Sequence, residues 1–328
     1  MEQAQNSIYM TDSTQKPITL EIPGRICLMG DKVDLLGYPV IAAAIDCTLT
    51  VSIKKLDRPL IRLYSKNIGT WLEYPLGEKG DWNHEYRYWC AVAYRLKERI
   101  GGFEAEFDSR IPIGSGLSSS AAVSVGLAKA LNTLFELKLS NDEIAEIAYR
   151  AEHDDIGVMC GRMDQYAISH GGVTFIETGE IPKVEKLCVE SLPVVVGDTQ
   201  EERMAKQILN SVKERLNKND PIVHEAFNTM KVCVLEGKKA IENRDFVALG
   251  EFMNIQQEQE NIIGAATPKL NALCEAAMEA GALGAKQMGA GGGGCMVAVC
   301  PSFQEEVAKA IECAGGKAWI FNIFEYFD

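Results

Sequence analysis

Residues 112–122 read PIGSGLSSSAA, two glycines and four serines that run directly into AAVSVGLAKALNTLF at 121–135. The second segment is apolar and rich in alanine, the composition of a buried helix. A loop that feeds a helix start exposes backbone N–H groups lacking intrahelical partners, at the positive end of the helix dipole, and this suits an anion such as a nucleotide phosphate. Gly114 and Gly116 let the backbone approach closely, and Ser115, Ser118, Ser119 and Ser120 offer hydroxyls to phosphate oxygens or to a metal ion. The same residues also suit a serine-capped turn whose glycines serve only the backbone. The rest of the chain has to decide between these readings.

Upstream, β-rich runs at 18–22, 25–29 and 47–54 are punctuated by Pro23-Gly24 and a loop at 30–37. Segments 60–64 and 71–76 read as strands, 81–100 has helical spacing, and 103–109 alternates as a strand does. Downstream, Ser140 and Glu143 form a capping box that opens a second helix, which carries Glu152 to its C-terminal end. A loop, a short helix and a strand follow. The chain turns polar near 180–190, so two domains are expected, 1–185 and 186–328. Beyond the strand LPVVVGD, residues 200–280 read as helices with breaks near 217–221, 243–245 and 264–268. A glycine loop after a helix, a strand MVAVC, a helix at 303–314 and a final strand AWIFNIF close the chain. The expected fold class is α+β.

Composition narrows the functional classes. The 328 residues are 47% hydrophobic and 24% charged, ordinary for globular domains, with a polar stretch through about residue 17. A net charge of −13 argues against non-specific nucleic-acid binding, which depends on Lys and Arg. A phosphate ligand must then be held locally, by loops and a divalent cation. Ten cysteines are scattered without a C-x-x-C pair and read as reduced thiols rather than disulfides or a zinc site. The N-terminus has no basic start or apolar core, and no apolar run is long enough to span a bilayer, so the expected location is cytoplasmic.

Three further constellations carry chemistry. GAGGGG at 289–294 is a second glycine loop, so two backbone walls can close on one ligand. Arg25 falls within an otherwise apolar β-run, where a charge must be paired or functional, and Asp31, Lys32 and Asp34 follow it closely. Glu152 and Asp164 supply carboxylates, Asp164 in a glycine-bounded loop where it can accept a proton from a hydroxyl. Neither a Walker A motif nor protein-kinase signatures are present.

The ordered motifs PGRICLMGDKVD, PIGSGLSSSAA and AKQMGAGGGGC resemble those of the GHMP kinases, and the likeness spans residues 18 to about 300. The resemblance implies an N-terminal domain like ribosomal protein S5 domain 2 and a ferredoxin-like C-terminal domain, with ATP and substrate between them. It implies that Gly114, Ser115, Gly116, Leu117, Ser118, Ser119, Ser120 and Gly291 cradle the ATP phosphates, and that Ser120 and Glu152 ligate Mg²⁺. Asp164 matches the family's catalytic aspartate and Arg25 the arginine that supports it. Asp31, Lys32, Asp34 and Gly161 match positions that face the acceptor.

The acceptor is expected to be a neutral sugar or related polyol, phosphorylated at the anomeric hydroxyl as in galactokinases. Two aspartates facing it would repel a carboxylate but would hydrogen-bond hydroxyls. A mevalonate kinase-type enzyme is the alternative, supported by LPVVVGDTQEERMAK and MNIQQEQENIIGAATPKL. A regulator that binds nucleotide or sugar without catalysis is the third reading, opposed by the joint presence of Arg25, Ser120, Glu152 and Asp164. Trp71, Trp82, Tyr86 and Trp89 are candidates for an adenine wall, and Arg150, Arg203 and Lys206 for added positive charge near the phosphates.

Overall fold

The computed structural model describes residues 16–189, 191–202 and 204–326. Most of the polar N-terminal stretch, and Arg203, lie outside the described residues. In the first half the elements are β1 (Ile18–Met29), β2 (Val40–Lys55), β3 (Leu60–Ser65), β4 (Trp71–Pro75), α1 (Arg87–Leu96) and β5 (Phe103–Ser109). They continue with α2 (Ser119–Phe135), α3 (Asn141–Arg150), α4 (Met163–His170), β6 (Val173–Glu177) and β7 (Lys183–Leu187). Among the described residues the larger sheet has seven strands, in the order β4-β3-β5-β2-β6-β7 with β1 on β2.

Strand β2 is the axis of this sheet. Its first six residues, VIAAAI, are all buried, as expected of a strand covered on both faces, and its second half mixes buried and partly exposed positions. The runs read as two strands at 18–22 and 25–29 are one, β1, with a register shift at Pro23/Gly24. Proline lacks the N–H that a regular ladder needs there, so the strand bulges instead of ending. Helix α2 lies on β1 and β2 and buries Ala121, Ala122, Val125 and Leu127, which explains its alanine-rich composition. The capping box at α3 is present: Glu143 N–H donates to Ser140 Oγ at 3.2 Å and Ser140 N–H to Glu143 Oε2 at 2.8 Å.

The change of sheet falls between β7 and β8 (Val194–Asp198), followed by α5 (Ala205–Asn217), α6 (Pro221–Glu242), α7 (Phe246–Ile262) and α8 (Pro268–Glu279). The helix breaks have local causes. Asp220 caps α6 through the Ile222 N–H, Asp245 caps α7 through the Ala248 N–H, and Thr267 caps α8 through the Leu270 N–H. Pro221 and Pro268 occupy first-turn positions, where a missing N–H costs nothing. Next come β9 (Gly284–Gln287), β10 (Cys295–Val299), α9 (Gln304–Cys313) and β11 (Lys317–Ile320). The second glycine loop therefore joins two strands, not a helix and a strand. The order β11-β8-β10-β9, antiparallel throughout, is the ferredoxin-like arrangement of a split β-α-β unit.

The final expected strand, AWIFNIF, divides between the two sheets. Lys317–Ile320 form β11, whereas the residues beyond return to the larger sheet as a strap. Phe324 N–H donates to the Ala44 carbonyl at 2.9 Å, Asp46 N–H to Asn322 O at 3.1 Å and Gly172 N–H to Phe324 O at 2.8 Å. The edge of β2 away from β1 is thus shared by β6 at 40–43, the strap at 44–46 and β5 at 49–55. No helix among the described residues is long and apolar enough to cross a membrane.

Candidate active site

Arg25 projects from β1 and is 4% exposed. Its guanidinium grips Asp164 with two hydrogen bonds, Nε to Oδ1 at 2.8 Å and Nη2 to Oδ2 at 2.7 Å. A third N–H, on Nη1, donates to the Gly116 carbonyl at 2.6 Å, so one side chain ties the serine loop to the first turn of α4. Ser118 completes the cluster, its hydroxyl donating to Asp164 Oδ2 at 2.5 Å. Ser118 holds a left-handed backbone (φ 62°) to do this, a conformation that costs a residue with a Cβ about 1–2 kcal/mol. The sequence reading gave Ser118 to phosphate; its hydroxyl is directed at the carboxylate instead.

Asp34 sits in the short 3₁₀ turn Val33–Leu36, against Gly161. A Cβ on Gly161 would lie 1.7 Å from Asp34 Oδ2, so glycine there is a requirement of the carboxylate opposite. Burial, and secondly the like charge of Asp164, push the Asp34 carboxyl up to about 6.

Glu152 lies in a π-helical turn, Ala151–Asp155, that prolongs α3. Its Oε1 accepts a hydrogen bond from Gln165 Nε2 at 3.0 Å, and Gln165 directly follows Asp164 on α4. Burial raises the Glu152 carboxyl to about 7, while Gln165 and the Ser124 and Ser120 hydroxyls beside it pull the other way. One hydroxyl and one carboxylate are hard oxygen donors of the kind Mg²⁺ takes when phosphates and water complete its octahedron. No cluster of three or more His, Cys, Asp or Glu side chains that could hold a metal ion occurs among the described residues. The donors present fit magnesium.

Arg25, Asp34, Gly161 and Asp164 line one cleft of about 530 Å³ together with Gly114, Gly116, Ser118, Ser119 and Ser120. Other expected residues stand elsewhere. Asp31 is fully buried, off the cleft wall, and paired with Lys286. Lys32 touches the cleft but is 4% exposed and paired with Glu260 at 2.7 Å. Burial works against charge on Asp31, yet Lys286 and Lys32 outweigh it and hold the carboxyl below its ordinary value. Ser115 spends its hydroxyl on the Pro112 carbonyl at 2.9 Å, and Leu117 is core. Gly291 packs under Ala265 O, leaving Gly289 and Ala290 as the cleft wall from the second loop.

Of the four aromatic candidates, only Trp89 lines the cleft. It packs on Phe107 at 4.8 Å, and its buried indole N–H has no partner among the described residues. Tyr86 is core, with its hydroxyl on Thr70 O at 2.5 Å, and Trp71 stacks on Tyr64 at the surface. Trp82 and Lys206 do not reach the cleft, and Arg150 pairs with Glu146 at 2.8 Å. Gln165, Gln256, Glu260 and Lys286 were missed: the last three lie inside stretches quoted above for other reasons, but their partners Asp31 and Lys32 are more than 200 residues away, and Gln165 meets Glu152 only through the packing of α4.

Comparison with known proteins agrees with this architecture. The GHMP kinases N terminal domain matches residues 86–172, and the GHMP kinases C terminal domain matches 238–318. A mevalonate kinase of Pyrococcus abyssi is 33% identical over 92% of this chain and 94% of its own. Among solved structures, Lactococcus lactis galactokinase complexed with galactose superposes with a TM-score of 0.81 at 24% identity, covering 95% of this chain and 94% of its own. The mevalonate kinase of Methanococcus jannaschii gives 0.79 at 24% identity, covering 95% of this chain and 100% of its own. At that identity the structures speak for the fold alone.

The sugar 1-kinase expectation is overturned. The relatives at 33% identity over nearly the whole chain are mevalonate kinases, not sugar kinases. The argument that favoured a sugar required two aspartates facing the acceptor, and Asp31 does not face the cleft. Full-length likeness, both domain matches and a shared fold lead to one assignment: the chain belongs to the GHMP kinases, phosphotransferases that act on a hydroxyl group.

Proposed function

We propose that this chain is a mevalonate kinase-type enzyme, transferring the γ-phosphate of ATP to a hydroxyl of mevalonate. The observation that carries the reading is the 33% identity to a mevalonate kinase over 92% of the chain. The cleft is in keeping with it, since Asp31 is paired with Lys286 away from the cleft wall and Asp164 is paired with Arg25, so neither carboxylate meets a carboxylate-bearing acceptor without a counter-charge.

Phosphoryl transfer asks the protein chiefly for in-line placement, charge neutralisation and a route for the hydroxyl proton. In this reading the α2 N-terminus and the serine loop hold the phosphates, and Trp89 with Phe107 borders the base. Asp164 takes the acceptor's proton as its oxygen bonds to phosphorus and ADP leaves. Arg25 keeps both Asp164 oxygens in place. Magnesium, when bound, supplies neutralisation of phosphate charge; Ser120 and Glu152 would hold it.

A coupled assay of ADP release with mevalonate and a panel of sugars tests the assignment. Release with mevalonate and not with sugars is the expected result. Release with a sugar alone, or with no acceptor in the panel, would overturn it.

A further inference from the structure

Two adjacent residues hold both backbone polar groups of Gly289. Asp31 Oδ1 accepts the Gly289 N–H, and Lys32 Nζ donates to the Gly289 carbonyl at 2.9 Å. Each gripping group is itself fixed from a second side. Asp31 Oδ2 accepts from Gln256 Nε2 at 2.9 Å and pairs with Lys286, while Lys32 pairs with Glu260 at 2.7 Å. The residue before them joins in, with Gly30 N–H donating to Gln256 Oε1 at 3.0 Å.

All four charged groups are buried, none more than 4% exposed, and the two acids balance the two bases. A buried ion network of this kind rarely stabilises a fold more than apolar packing of the same volume would, so its value here is geometric. Lys32 also keeps a left-handed backbone, φ 67°, a strained state that persists only where surroundings over-determine it. What the network determines is the orientation of the two peptide units that meet at Gly289. Gly289 and the residue after it, Ala290, are the part of the second glycine loop that lines the cleft.

We propose that Asp31 and Lys32 are positioning residues, a two-point grip that aims the second glycine loop at the nucleotide instead of reading the acceptor. The inference rests on the proposed use of the cleft for ATP. It gives the first motif of the chain a task in the second half of the molecule, and it explains why Asp31 is buried.

The test is ATP affinity measured directly by calorimetry, beside steady-state KM for the acceptor. Two paired variants, Asp31→Ala/Lys286→Met and Lys32→Met/Glu260→Gln, remove a grip without leaving a buried charge unpaired. Each is expected to weaken ATP binding about tenfold or more, the scale of a wall displaced by a fraction of an ångström, with the acceptor KM within about twofold of wild type. Asp31→Asn/Lys286→Met keeps an oxygen for the Gly289 N–H and recovers most of the loss. Unchanged ATP affinity with only a lowered melting temperature would overturn the proposal, as would a rise confined to the acceptor KM. No ATP binding by the wild type would overturn both this inference and the kinase reading. ATP binding without ADP release on mevalonate would overturn the mevalonate assignment alone.

Discussion

The serine loop at 112–122 and the glycine loop at 289–294 face the same cleft, yet they are held in opposite ways. The first turns side chains toward the chemistry: Ser118 donates to Asp164, and Ser119 and Ser120 line the cleft at the start of α2. The second is bound through its own backbone. Gly289 is gripped at both polar groups, Gly292 N–H donates to Ala265 O at 2.8 Å, and Gly294 N–H donates to Thr199 Oγ1 at 3.1 Å. Similar composition thus serves two tasks. A serine loop contributes chemical groups, and a glycine loop contributes a surface whose shape is set from behind.

The comparison is open to being broken by mutation. The largest expected effect is at Asp164, the carboxylate the serine loop touches: Asp164→Asn should lower kcat roughly 10²–10⁴-fold while calorimetry still detects ATP. Near wild-type turnover would remove Asp164 from the proton route. Next comes Glu152→Gln, which should raise the magnesium needed for half-maximal rate about tenfold. The same variant has a stability signature in the metal-free protein. The folded carboxyl is raised from 4.5 to about 7, so the folded state keeps a proton that the unfolded state releases. Stability should therefore fall as pH rises from about 4.5 to 7, by ~3 kcal/mol for a buried group, and the slope should flatten in Glu152→Gln. A wild-type melting curve flat across that window would contradict the burial assigned to Glu152.

Ser118→Ala removes one charge-assisted hydrogen bond and should lower kcat about tenfold with little change in melting temperature. In the glycine loop the balance should reverse. Gly291→Ala places a Cβ 2.3 Å from Ala265 O at φ +82°, and should cost about 2 kcal/mol in denaturant titration. If it instead left stability intact and abolished turnover, the scaffold role of this loop would be wrong. The smallest effect belongs to Ser115→Ala, about 1 kcal/mol of stability from the lost turn bond to Pro112, with turnover unchanged.

What could be read from the chain beforehand followed the range of the interactions. Capping signals act within a few residues, so Ser140 with Glu143 announced α3, and the breaks expected near 217–221, 243–245 and 264–268 fall where Asp220, Asp245 and Thr267 cap the next helices. Strand β9 was absorbed into the preceding helix, because its burial comes from β10 and α7 and not from its own four residues. Asp31 looked like a substrate contact for the same reason. Its partner at Gly289 lies 258 residues away, and a carboxylate in a glycine-flanked loop carries no local sign that a lysine will meet it in the core. Gln165 was equally silent, since only the packing of α4 against the end of α3 brings it to Glu152.

The strap has a bearing on how the chain comes off the ribosome. Ala44 and Asp46 lie near the middle of β2, yet the groups that complete their hydrogen bonding belong to Asn322 and Phe324. During vectorial synthesis the larger sheet can assemble β6 and β5 on either side of that interval while the interval itself stays open. An unpaired strand edge of this kind is a template for other chains. The strap is made after β5 and β6 and closes that interval, and Tyr326, whose hydroxyl donates to Ile168 O at 2.9 Å, seals the closure against the helix that carries Asp164. A nascent chain halted before Asn322 would hold Arg25, Ser118 and Asp164 and still present an open edge.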